Sequence, residues 1–83
     1  MNRIGIIAIL IEEHRESVEA VNHILSEYSG CIHARMGVPN QEKDLYVISL
    51  VVEVTTEQLG ALTGRLGQLR GVTVKSMLTN KTY

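Results

Sequence analysis

Ile4-Gly5-Ile6-Ile7-Ala8-Ile9-Leu10-Ile11 is apolar at every position, and Leu45-Tyr46-Val47-Ile48-Ser49-Leu50-Val51-Val52 is apolar at nearly every one. Both runs are short and rich in β-branched residues, which favours strands over helices. Side chains alternate across a strand, so a half-buried strand reads apolar, polar, apolar; a continuous apolar run asks for cover above and below. A chain of 83 residues can hardly supply both covers, and small domains commonly gain the missing burial by association. The surplus face predicts a homo-oligomer, a dimer or a tetramer.

The bulk composition narrows the class further. Residues 1–83 make one domain. The net charge of −1 and a pI near 6.3 give no basic field, so direct nucleic-acid binding is not expected. Cys31 is the one cysteine, which rules out an internal disulfide framework and fits a reducing, cytoplasmic setting. Arg3 followed by the first apolar run has the look of a signal peptide, but Glu12 and Glu13 follow where small residues would be needed. The run is also far short of the ~20 residues that cross a bilayer, so neither targeting nor a membrane partner is expected.

Between and beyond the two runs the periodicity changes. Val18, Val21, Leu25 and Tyr28 recur at helical spacing opposite Glu16, Glu19, His23 and Glu27, predicting an amphipathic helix that ends near Ser29-Gly30 with Gly30 as a left-handed cap. Cys31-Ile32-His33-Ala34-Arg35-Met36 alternates weakly as a strand. Gly37-Val38-Pro39-Asn40-Gln41-Glu42-Lys43-Asp44 reads as a loop joining two antiparallel strands. Thr55 and Gln58 have the spacing of a capping box, Leu59, Leu62, Leu66 and Leu69 mark the buried face of a second helix, and Gly71 ends it. Val72 and Val74 open a last strand running to about Leu78. The order is strand, helix, strand, strand, helix, strand: an α+β, ferredoxin-like βαββαβ two-layer sandwich. Its antiparallel sheet order 4-1-3-2 makes the two apolar runs central neighbours, with both helices on one face.

On the other face the first strand presents either Ile4, Ile6, Ala8 and Leu10 or Ile7, Ile9 and Ile11. Covering four such side chains is worth roughly 6–12 kcal/mol, comparable to a small domain's whole stability. Ile7, Ile9 and Ile11 are taken as the interface set, together with Gly64, since Gly64 and Gly67 inside a helix call for a packing reason. Their spacing lacks the preceding strand and following lysine of a phosphate loop.

The stretches Arg35-Met36-Gly37-Val38-Pro39, Ala61-Leu62-Thr63-Gly64-Arg65-Leu66-Gly67 and Gly71-Val72-Thr73-Val74-Lys75-Ser76-Met77-Leu78-Thr79, with Ser26-Glu27-Tyr28, resemble the small family of iron-only hydrogenase system regulators. That resemblance implies a stand-alone ACT-like domain, similar to the C-terminal domain of the nickel-responsive repressor. It implies an oligomeric regulatory module, linked to transcription regulation, that takes a small-molecule effector or docks on a protein partner. No cofactor, catalytic or binding residue comes with it. ACT domains that bind amino acids usually have a glycine in the turn after the first strand, where this chain has Glu12-Glu13-His14-Arg15.

Three site readings come from the residues. Arg35, Met36 and Gly37 are the candidate ligand-binding loop, with Arg35 able to pair an anion. Cys31 and His33, two apart on a strand, could begin a zinc or nickel site and make a metal sensor or carrier the alternative function, though His14 and His23 are not aligned to complete it. A small ferredoxin-like enzyme is a further alternative, but no nucleophile, histidine and carboxylate stand in a catalytic relation, so an enzyme is not expected.

Overall fold

The computed structural model describes residues 2–13 and 16–82. The apolar runs form β1 (Arg3–Glu12) and β3 (Leu45–Val54), flanked in sequence by α1 (Glu16–Glu27), β2 (Ile32–Asn40), α2 (Thr56–Gly67) and β4 (Val72–Leu78). The sheet order is β2-β3-β1-β4, the expected 4-1-3-2 counted from the other edge. Every pairing is antiparallel. The two runs are therefore the two central strands, with Ile7 opposite Leu50 and Ile9 opposite Ile48.

Ile7, Ile9, Ile11, Ile48, Leu50, Val52 and Val54 point to one face and are buried beneath Val21, Ile24 and Leu25 of α1 and Leu62 and Leu66 of α2. Val18, Tyr28, Leu59 and Leu69 flank this core half-buried. Thr55 caps α2 as its spacing predicts: its hydroxyl accepts from the Gln58 N–H at 3.1 Å, and the Gln58 side chain accepts from the Thr55 N–H at 2.8 Å. The helix stops at Gly67, short of the expected Gly71: the Gln68 N–H caps it on Arg65 O and Leu66 O, and Gly71, with φ 71°, instead turns the chain into β4, a conformation that costs glycine little and other residues more.

Three further expectations need correction. Gly30 takes no left-handed cap; after α1 the chain tightens into a 3-10 turn, Ser29–Cys31. There Tyr28 N–H donates to Leu25 O at 3.0 Å and Cys31 N–H to Tyr28 O at 2.9 Å, so the last carbonyls find partners without a left-handed residue. The segment 37–40, expected in a loop, completes β2, leaving a turn of residues 41–44. Pro39 is tolerated because β2 is an edge strand with a partner on one side only. Third, Ile7 and Ile9 are 0% exposed and Ile11 2%, so the set placed at an interface lies inside the monomer's own core.

The opposite sheet face carries the other set. Cross-strand register arranges it in rows: Ala34, Val51, Ile6 and Met77; Met36, Ser49, Ala8 and Lys75; Val38, Val47, Leu10 and Thr73. No helix of the described residues covers this face, and Ile6, Met36, Val38, Val51 and Met77 are the large apolar side chains left exposed.

Candidate functional site

Antiparallel pairing sets Glu12 at the end of β1 beside Leu45 at the start of β3, so the acidic residues after the first run meet the polar turn before the second. Between them lies a cleft of about 190 Å³. Ile11, Val18, Leu45 and Tyr46 form its apolar wall beside Pro39, and Glu13, Asn40, Gln41 and Asp44 its polar rim. Glu13 N–H donates to Asp44 O at 3.1 Å. Both residues are left-handed, with φ 60° and 50°, a costly conformation for non-glycine residues that recurs at functional sites. Glu13 thus occupies, with a side chain, a backbone conformation suited to glycine.

Neighbouring contacts hold this end of the molecule in place. The buried Ser17 hydroxyl donates to Arg70 O at 2.8 Å, tying the start of α1 to the turn before β4. Glu12 N–H donates to Gly71 O at 2.8 Å, and Lys43 N–H to Asn40 Oδ1 at 3.2 Å. Tyr46 lies across Gly37, where a Cβ would come within 2.5 Å of its hydroxyl. Glycine at 37 is what lets this cleft-wall ring lie flat on β2.

The residues singled out from sequence are dispersed. Arg35 points toward the helix layer and donates to Asn22 Oδ1 of α1. Met36 lies on the open sheet face, and Gly37 sits beneath Tyr46, so the three share a stretch of strand but no site. Cys31 packs against the core, while His33, beside the bulge between Ile32 and Ala34, hydrogen-bonds Glu53 Oε1 through Nε2 at 3.0 Å. Cys31 belongs to the 3-10 turn and not to β2, and the bulge displaces His33 in turn, so the strand alternation that would set the two on one face does not apply to them. His14 lies outside the described residues, and His23 faces Glu27 at 3.5 Å. Among the described residues no three His, Cys, Asp or Glu side chains gather into a group able to hold a metal ion. Gly64 is exposed, and among the described residues outside its own helical turn nothing comes within 4 Å of a Cβ placed there or at Gly67; packing among the described residues does not explain either glycine.

On the helix layer, Arg65 of α2 grips Glu27 of α1 with both terminal nitrogens, at 2.9 and 3.0 Å. That hydrogen bonding holds the Glu27 carboxyl below its ordinary range. The guanidinium, bound by Glu27 and by Tyr28, is held still more firmly charged. This bidentate pair links the two helices above the sheet.

The fold, a four-stranded antiparallel sheet with two helices on one face, is that of ACT-like domains. The ACT domain of a GTP pyrophosphokinase from Chlorobium tepidum superposes with a TM-score of 0.72 at 22% identity, over 93% of this chain and 100% of that one. A formyltetrahydrofolate deformylase from Pseudomonas putida contains the same fold at TM-score 0.66 and 13% identity, the match covering 94% of this chain and 29% of the enzyme. The chain itself belongs to the TM1266-like family, described as "Iron-only hydrogenase system regulator, putative", whose model matches residues 3–76. The uncharacterized protein TM1266 from Thermotoga maritima is 35% identical, with a TM-score of 0.91 over 94% of this chain and 98% of that one. No curated protein matches the chain.

The cleft's polar residues were not singled out from the sequence. The signal was present in the strand order: once strands one and three are neighbours, the acids ending one must lie beside the turn preceding the other.

Proposed function

We propose that this chain is a regulatory module of the iron-only hydrogenase system that works by binding, taking a small organic effector in the cleft at the end of β1 and assembling with copies of itself. The observation that carries the reading is the cleft. Its 190 Å³ is room for about six water-sized groups, below the usual size of a drug-sized ligand pocket. An apolar wall with an oxygen-rich rim suits a compact molecule having a hydrocarbon part and a donor group such as an amine. No basic side chain lines it among the described residues, so an anion is the poorer fit.

Family membership supports the regulatory part of the reading. With a net charge of −1, any control of transcription runs through a protein partner and not through direct contact with DNA. The module works in the cytoplasm; no helix among the described residues is long and apolar enough to cross a membrane.

The test is an NMR titration of isotope-labelled protein with the twenty free amino acids and with simple primary amines. Saturable shifts at the amides of Glu13, Val18, Leu45 and Tyr46 are expected for at least one of them. Shifts confined to the open sheet face, or none for any compound, contradict the reading.

A further inference from the structure

The open sheet face is apolar at its centre, and two of its charges, opposite in sign, lie symmetrically about one residue. Ile6 is 44% exposed, Met36 62%, Val38 50%, Val51 36% and Met77 57%, a contiguous apolar patch of the kind that marks an interaction surface. Lys75 pairs in register with Ala8 on β4, one strand to one side of Ile6 and two residues along. Glu53 pairs with Ile4 on β3, one strand to the other side and two residues back. Ile6 is therefore the midpoint between them. Among the described residues Lys75 is the one lysine or arginine on the strands of this face, and it has no ion-pair partner.

With strands ~4.8 Å apart and a rise of ~3.3 Å per residue, the line through Ile6 perpendicular to the Lys75–Glu53 direction crosses β2 at Met36. In the other direction it passes within about one residue of Met77. The three bulky exposed side chains thus lie along a single diagonal. A two-fold axis on that diagonal would set each of them against its own counterpart and place Lys75 of each copy over Glu53 of the other. Two-fold interfaces demand such self-complementarity.

We propose that the face is covered by a second copy of this chain, stacked sheet to sheet about the Met36–Ile6–Met77 diagonal, with reciprocal Lys75–Glu53 ion pairs. The inference rests on the self-assembly stated under Proposed function and deepens it by naming the surface, the axis and the charge pair. The strands of the two sheets then cross at roughly 70°, near the orthogonal class of sheet packing. Glu53, already hydrogen-bonded to His33, has its second oxygen left for the lysine of the partner.

Charge reversal tests it, because the two sites are distant within one chain and adjacent only across this axis. The dissociation constant of the assembly is measured by sedimentation velocity for the wild type, Lys75→Glu, Glu53→Lys and the double reversal, with circular dichroism confirming that each is folded. Each single reversal should weaken the assembly about tenfold or more, and the double reversal should restore it to within about threefold of the wild type. An oligomer whose affinity ignores the single reversals, or in which their effects simply add, overturns this axis while leaving self-assembly standing. A wild-type chain that stays monomeric, alone or bound to phosphatidylcholine and phosphatidylglycerol vesicles, overturns both.

Discussion

Glu13 and Asp44 hold left-handed backbone conformations, φ 60° and 50°, on either side of one hydrogen bond. For a residue with a Cβ that conformation costs about 1–2 kcal/mol. Glu13→Gly should therefore leave stability unchanged or raise it by up to about 1 kcal/mol, read as the urea midpoint; a clear loss would mean that the Glu13 side chain itself supports the fold. At Gly37 the substitution to alanine meets the far end of the Tyr46 side chain rather than backbone. The ring can swing away, so the cost should stay below about 2 kcal/mol, but the cleft wall moves. Gly37→Ala should thus abolish effector-induced shifts at Leu45 and Tyr46 while the protein stays folded. Glu27 gives a pH signature. Its carboxyl, gripped by Arg65, is held below the ordinary value of 4.5, so the stabilisation is fully present above that value and is lost as pH falls through the depressed one. Glu27→Gln should lose less stability than the wild type between pH 5 and pH 2, a difference that high salt reduces.

At the scale of elements the four strands and two helices were legible because each has one dominant period: continuous apolar runs for the central strands, a leucine stripe and a capping box for α2. The ends were legible only where a single residue type decides them. Thr55 does so as the cap of α2, whereas neither glycine expected to end a helix does: α2 stops at Gly67 under a right-handed Gln68 cap, and near Gly30 3-10 hydrogen bonds satisfy the last carbonyls of α1. Edge strand β2 reads shorter in sequence than it is, because Gly37 and Pro39 carry loop signals that an edge position tolerates. Thr55→Ala should cost about 1 kcal/mol by removing the cap. Gly60→Ala and Gly64→Ala, in open space on α2, should each add about 0.5–1 kcal/mol in chemical denaturation. Neither should alter the assembly, since the open sheet face is on the far side from α2; weakened assembly would move the interface to the helices.

For the whole molecule, the two apolar runs ask for more cover than one chain provides. The helices close one face around Ile7, Ile9 and Ile11, and the other is left with Ile6, Met36, Val38, Val51 and Met77 in the open. Sequence alone showed that a face was in surplus but not which one, because β1 is apolar at both parities. The choice is made by the helices and by Gly5, Ile7, Ile9 and Ile11 facing them together. The cleft was hidden for a related reason: its residues come from three separate segments, and none is distinctive alone. The central claim is that a second copy supplies the missing cover, and the most direct measurement is light scattering of the wild type and of Ile6→Glu across the micromolar range. The account predicts a wild-type mass at a multiple of 9.2 kDa and a folded, monomeric variant. A monomeric wild type, or an Ile6→Glu variant that assembles as the wild type does, would contradict it.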